Sequence, residues 1–406
     1  MRILWLSRVP WAAGGYSNQT ALFAPRLAAA GHEVAIVGVQ GIASGMIDWR
    51  GIPVYPLLTN DLRNLTTIGL HYQHWRADLM ISLHDVEQVV DGPALIKRFP
   101  RLFWALWFPI DGPSLSPVVR HRLQAVSAPV AISRFGERVA RDHGVPVRYV
   151  PHGVDTGVFQ PLDRAGARQR LGWPADRFVA GMVAANYATR KAFPQHIAGF
   201  AAFHRKHPDS MLYLHTEEAT PGGLDLTSLC VKAGLKVGTD VVFCDAYRYL
   251  LGIPDSEMAA IYTAMDVLLL ATKGEGFGIP IIEAQACGTP VILGDWSAMS
   301  ELCFAGWKVS REESAEVENG WRLAEPEAIA DRLESAYLAS RDPDRREALS
   351  REARDGALLY DADRVTAESW LPLLRELEKI SANGGATAPV CQAGTGAILD
   401  GRGPAL

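Results

Sequence analysis

At 406 residues, 48% hydrophobic and 21% charged, the chain is neither a disordered tail, a collagen nor a small disulfide scaffold. Its length exceeds the roughly 250–300 residues at which a single hydrophobic core stops growing, so two domains with a cleft between them are expected. With 45 acidic against 40 basic side chains the formal charge is -5, which supplies no global basic field and makes nucleic acid a minority reading.

The chain opens with a run of four apolar residues, Ile3 to Leu6, too short for the core of a signal peptide and suited to a first strand. A loop holding Gly14-Gly15 leads into a helical pattern from about Ser17 to Ala30, which Gly31-His32 ends before a second strand at Glu33 to Gly38. Strand, glycine loop, helix, strand is the beginning of a parallel βαβ unit. Leu79 to Leu83, Leu102 to Trp107, Pro129 to Ile132 and Val147 to Val150 are further short apolar runs that fit a buried parallel sheet. Two of them end in polar groups, His84-Asp85 and Asp111-Gly112, and ligands of open α/β sheets bind at strand ends.

The segment Pro151 to Asp163 carries the turn chemistry of a linker, and a second α/β series follows it. Strands are expected at Phe178 to Val183, Ser210 to His215, Val241 to Cys244, Val267 to Leu270 and Pro290 to Leu293. Helical patterns lie between them at Pro194 to His207, Asp255 to Ala264 and Ile281 to Cys287, and later at Pro326 to Leu338 and Arg345 to Leu358. Asp363 to Ile380 reads as an amphipathic helix with a kink at Pro372, and Ser381 to Leu406 as a mobile tail. The domain expectation is therefore 1–160, 161–362, a returning helix at 363–380 and a tail at 381–406.

The stretch from Lys273 to Ile292 is the most informative. Gly274, Gly276 and Gly278 let backbone amides approach a ligand, and Pro280 suits the first turn of a helix whose free amides and dipole attract an anion. Glu275 and Glu283 are placed to accept hydrogen bonds from sugar or ribose hydroxyls. The alternative is a tight turn and a capped surface helix.

This stretch resembles the E-G-F-G-x-P-x-x-E-A-x-A-x-G-x-P-V signature of the retaining, family-4-like glycosyltransferases, the glycosyl transferases group 1. The resemblance implies the GT-B fold, two Rossmann-like α/β domains facing across a central cleft with a carboxy-terminal helix crossing back to the first. It also implies that Glu275 contacts the donor sugar and Glu283 the ribose, with Gly276, Phe277 and Gly278 shaping the donor loop. Pro151-His152-Gly153-Val154-Asp155 is similar to the family's hinge. Asn186 to Lys191 is similar to its donor-phosphate loop, in which Arg190 and Lys191 pair with the diphosphate. Gly14 and Gly15 match its amino-terminal glycine loop. His84 is a candidate neighbour of the transferred sugar or else a buried histidine, and Asp111 orients an acceptor hydroxyl or else caps a turn. Ser300-Glu301 resembles the family's Gly-x-x-Glu turn with Trp296-Ser297 in place of its glycines.

The function implied is transfer of a sugar from a nucleoside-diphosphate sugar to an acceptor hydroxyl, with no cofactor and no metal. The pairs Asp342/Asp344 and Asp361/Asp363 precede helices and read as caps rather than metal ligands. A non-catalytic nucleotide-sugar-binding protein stays open as an alternative. So does an anionic polymer acceptor, such as modified DNA, since Arg120, His121, Arg122, Arg134, Arg138, Arg141 and Arg148 form a locally basic stretch, although a solvated helix face explains them as well. Five cysteines without a close pair and no run of 18 apolar residues fit the cytosol, with peripheral membrane contact left open.

Overall fold

The computed structural model describes residues 1–41, 43–57, 65–88 and 92–382. The expected tail lies, from residue 383 on, outside the described residues.

The first half builds an eight-stranded sheet from β1 (Arg2–Arg8), β2 (Glu33–Val39), β3 (Ile47–Trp49), β4 (Ile52–Pro56), β5 (Leu79–Leu83), β6 (Trp104–Phe108), β7 (Ala128–Ala131) and β8 (Arg148–Tyr149). Their order across the sheet is β3-β4-β2-β1-β5-β6-β7-β8, parallel throughout except where β3 pairs antiparallel with β4. The second half builds a parallel sheet from β9 (Phe178–Val183), β10 (Ser210–His215), β11 (Val241–Phe243), β12 (Val267–Leu270), β13 (Val291–Gly294) and β14 (Gly306–Val309), ordered β11-β10-β9-β12-β13-β14. Strands buried on both faces read as continuous apolar runs, and β5, β6, β9, β10 and β12 are buried at every position. The apolar runs thus predict the central strands. Exposed β3 and the antiparallel hairpin of β15 (Ser314–Glu316) and β16 (Arg322–Ala324) carry no such signal and were not expected from it.

Each sheet reverses its winding once. The chain runs β1, β2, β4 outward and then returns to place β5 on the other side of β1; it runs β9, β10, β11 outward and then places β12 on the other side of β9. Crevices at such reversals, beyond the carboxyl ends of the strands, are where open α/β sheets bind ligands. Three helices position the site: α1 (Gly15–Ala29) after β1, α2 (Arg134–Asp142) after β7, and α3 (Ile279–Ala286) after β12.

The chain crosses between the halves twice, side by side. Val154 donates to the Tyr360 carbonyl and Ala362 donates back to the Val154 carbonyl, so the two crossings share a short ladder. Beyond it, Ala362–Val365 and Leu371–Ala382 are α-helical, and a single widened π turn at Thr366–Trp370 lies between them. Pro372 follows that turn and lacks the amide needed to continue regular bonding, which places the irregularity where the sequence puts the kink. Fully buried Trp370 packs on the first half, its ring 5.8 Å from Trp5, 4.9 Å from Trp107 and 6.0 Å from Phe23. Ion pairs from Arg26 to Asp363 and Arg148 to Glu376, both 2.6 Å, hold its flanks. Truncating a side chain so enclosed costs about 3–5 kcal/mol.

Of the first domain's tryptophans, Trp5, Trp104 and Trp107 are core, whereas Trp11 is exposed. The Asp-x-Asp pairs are caps: Asp342 accepts from the amides of Asp344 and Arg345, and Asp361 from those of Asp363 and Arg364.

Candidate active site

The segments that leave β1, β5, β6, β9, β12 and β13 meet between the two sheets. At the centre is Glu275, which follows β12 and is 5% exposed. Lys191 Nζ stands 2.6 Å from its Oε1 and Arg190 Nη1 3.2 Å from its Oε2, while the Thr272 hydroxyl donates to Oε1 at 3.0 Å. Burial alone raises this carboxyl, but Lys191 and Arg190 outweigh it and hold Glu275 below the ordinary carboxylate range. Burial pulls the Lys191 ammonium below its usual value against the opposing Glu275 charge. Arg190 is held above its usual value, first by Glu275.

The first domain contributes Asp111, whose Oδ2 lies 3.5 Å from Arg190 Nη1. Burial raises its carboxyl and Arg190 opposes that. Asp111 therefore forms an ion pair across the interface. Two cations and two carboxylates meet here, so their formal charge sums to zero before any ligand arrives.

The signature glycines also have a packing role. A methyl group at Gly274 would stand 2.4 Å from the Asp111 carbonyl oxygen, and one at Gly276 would stand 2.4 Å from Pro109 Cβ. The missing side chains let this loop pack on the first domain, rather than only letting its amides reach a ligand. Gly278, with φ 106°, adopts the left-handed conformation that starts α3 without a side-chain cap. Phe277 is likewise not open to a ligand here. It is buried in the hinge, its ring 5.2 Å from His152 and 5.7 Å from Tyr360.

Glu283 sits one turn along α3, buried, with Oε2 accepting from the Tyr262 hydroxyl at 2.8 Å. Burial pushes its carboxyl up to about 7 and the Tyr262 bond opposes that shift. Asn186 is spent on structure: its amide donates to the carbonyls of Glu217 and Leu224 and accepts from the Leu224 amide, bracing the loop after β10. His84 is 2% exposed, and burial pulls its imidazole down to about 3, so it is neutral at physiological pH. One nitrogen bonds the Leu6 backbone while Nε2 is shielded without a partner.

Gly14, with φ 129°, precedes α1, and a methyl group at Gly15 would approach Ile279 Cδ1 to 3.1 Å. The amino-terminal turns of α1 and α3 therefore abut across the interface. Neither has an acidic residue in its first turn or a side-chain cap, so two positive helix ends point into one place.

Other residues complete the site, and of these Tyr16 carried no sequence signal. Tyr16 donates to Asp85 Oδ1 at 2.5 Å on the first-domain side. Ser297 adopts φ 52° and ψ -162°, a conformation that favours glycine, and its hydroxyl accepts from the Glu275 amide at 3.0 Å. Trp296 donates to the Thr272 carbonyl, so the pair that replaces two glycines supports the site loop from below. Glu301 accepts from the amides of Arg134 and Phe135 at 2.8 and 2.9 Å, capping first-domain helix α2 from the second domain. The basic stretch is largely committed within the protein: Arg122 bonds the carbonyls of Val86 and Glu87, Arg134 and Arg141 pair with Glu137, and Arg148 pairs with Glu376.

The fold and these switch-point loops define a GT-B architecture. The sucrose-phosphate synthase of Thermosynechococcus elongatus superimposes with a TM-score of 0.75 at 19% identity, covering 93% of this chain and all of that one. The Anabaena protein HepE, in complex with UDP and glucose, superimposes at 0.68 and 17% identity over 92% of this chain and all of its own. Residues 182–338 match the family of glycosyl transferases group 1. Over 149 residues the chain is 33% identical to a D-inositol 3-phosphate glycosyltransferase of Saccharomonospora viridis, covering 36% of this chain and 33% of the relative. A second such protein, from Catenulispora acidiphila, is 34% identical over 201 residues, 48% of this chain and 46% of its own. The chain thus aligns with a third to just under half of the length of these curated relatives. No helix among the described residues is long and apolar enough to cross a membrane.

Proposed function

We propose that this protein is a retaining glycosyltransferase that moves a sugar from a nucleoside-diphosphate donor to an acceptor hydroxyl, without a metal ion. The observation that carries the reading is the convergence of Glu275, Arg190 and Lys191 beside the uncapped start of α3, with Asp111 facing them from the first domain. Arg190 and Lys191 meet the charge that develops on a departing diphosphate, and the α3 amides add donors that need no reorganisation. Glu275, held ionised, accepts hydrogen bonds from sugar hydroxyls, and Glu283 accepts them from the ribose. The acceptor hydroxyl attacks the face the diphosphate leaves, and its proton passes to the leaving phosphate oxygen. The first domain closes over the donor and shields it from water.

UDP and glucose occupy the similarly folded HepE, which supports a nucleotide-sugar donor. Proton NMR of the first-formed glycoside tests the stereochemical claim: the donor's anomeric configuration is expected in the product, and an inverted product contradicts it. Activity unchanged by EDTA is expected, whereas loss of activity restored by a divalent ion contradicts metal independence.

A further inference from the structure

The hairpin of β15 and β16 stands outside the parallel sheet, and its connection, Val317 to Trp321, reaches the first domain. A methyl group at Gly320 would stand 2.5 Å from Pro113 Cγ, and one at Gly112 would stand 3.0 Å from the Asn319 carbonyl oxygen. The base of the hairpin is tied to the site. The Arg322 amide donates to the Lys273 carbonyl, and the Lys273 amide donates to the Arg190 carbonyl. One run of backbone bonds therefore joins the loop that carries Arg190 to a contact on the loop that carries Asp111.

Trp321 sits where the two meet. A methyl group at Gly274 would stand 2.9 Å from Trp321 Cδ1 and 3.1 Å from its Nε1, besides 2.4 Å from the Asp111 carbonyl oxygen. The missing side chain at 274 thus admits Trp321 and Asp111 to one place. Trp321 Nε1 is shielded from solvent and has no hydrogen-bond partner among the described residues, a state that costs stability unless an acceptor comes to it. The Asp111 carboxyl is the acceptor at hand. Burial raises it, Arg190 opposes that rise, and the Trp321 indole opposes it as well while lying short of regular bonding geometry. Asp111 is also paired only loosely, at 3.5 Å, with Arg190, and its side chain keeps 39% exposure, so it has room to turn.

We infer that Trp321 is a positioning residue for Asp111: once a diphosphate takes Arg190, the indole N–H holds one carboxylate oxygen and leaves the other to accept from the acceptor hydroxyl. This rests on the reading above for what enters the site. Asp111 binds and aims the hydroxyl, whose proton still passes to the leaving phosphate oxygen. The acceptor side of the site, although carried by the first domain, is then set by a hairpin of the second.

Nuclear magnetic resonance of the full chain with ¹⁵N-labelled tryptophan indoles tests this. The chain has 11 tryptophans, and the indole resonance missing from Trp321→Phe belongs to Trp321. Arg190→Ala releases Asp111 without any ligand, so the Trp321 resonance should move downfield there and not in Arg190→Ala/Asp111→Ala; Arg190→Met serves in its place if melting curves show the alanine variant unfolded. Saturating UDP, GDP or ADP should move it the same way in wild type and not in Asp111→Ala. A resonance that stays put in the Arg190 variant, or moves equally without Asp111, overturns the inference. Calorimetry gives a second readout. Trp321→Phe should weaken the diphosphate about two- to fivefold in the wild-type background, where Asp111 reclaims Arg190, and not in Asp111→Ala. Equal weakening in both backgrounds marks Trp321 as merely structural and overturns its positioning role. If no nucleotide binds wild type, the donor reading fails and the Arg190 variants still decide the inference.

Discussion

Asp111 Oδ2 in the first domain lies 3.5 Å from Arg190 Nη1 in the second, and that same nitrogen is 3.2 Å from Glu275 Oε2. A diphosphate entering this cluster competes with Asp111 for Arg190, because four formal charges already cancel there. Asp111→Asn leaves one positive charge in surplus. It should tighten nucleoside-diphosphate binding by about two- to fivefold, the scale of a partly exposed pair, as read by calorimetry at low salt. Weaker binding in this variant contradicts the competition.

Glu283 gives the site a pH dependence. Its folded-state carboxyl titrates near 7 against an ordinary 4.5, so the folded protein binds this proton more tightly than the unfolded chain. The stability associated with it is fully present below about 4.5 and is lost as pH rises to about 7, on the order of 3 kcal/mol in the ligand-free protein. Urea unfolding across that range should lose this part of its slope in Glu283→Gln. Ribose hydroxyls bonding the carboxylate favour its ionised form, so nucleotide binding near pH 6.5 should release close to one proton. Enthalpies that do not vary with buffer ionisation contradict that coupling.

Ser297 combines an unfavourable backbone with a useful hydroxyl. Ser297→Ala keeps the positive φ and loses the bond to the Glu275 amide, and should cost about 1–2 kcal/mol in chemical denaturation. Ser297→Gly also loses the bond but relieves the backbone, so it should lie within about 1 kcal/mol of wild type. Equal destabilisation by the two substitutions indicates that the backbone is not strained there.

Glu301 fastens the domains by capping α2 from across the interface. Glu301→Ala should speed hydrogen exchange at the amides of Arg134 and Phe135 by about tenfold, as expected for loss of a cap worth about 1 kcal/mol or more. Exchange at β12 should stay as in wild type. Unaltered exchange at Arg134 and Phe135 shows that the contact contributes nothing to holding the domains.

The central strands were legible because burial on both faces writes continuous apolar runs, and β5, β9 and β10 begin and end where those runs do. The signature loop was legible as a place without side chains, but not as to what fills that space. Gly274 and Gly276 face Asp111 and Pro109, more than 160 residues earlier in the chain, and no local pattern records such a neighbour. Glu301 is equally non-local, since its capping of α2 exists only once two domains meet. Asn186 and Phe277 were expected at the donor on resemblance, and each is occupied by a structural contact of its own, with the loop after β10 and with the hinge.

The central claim is that Arg190 and Lys191 act on the leaving diphosphate of a nucleotide sugar. Wild type and the Arg190→Ala/Lys191→Ala double variant, incubated with UDP-, GDP- and ADP-sugars and followed by mass spectrometry of the released nucleotide and sugar products, test it most directly. The account predicts turnover of at least one donor by wild type and about a thousandfold or greater loss in a double variant that remains folded. Wild-type turnover in the double variant, or no donor consumed by wild type, contradicts it.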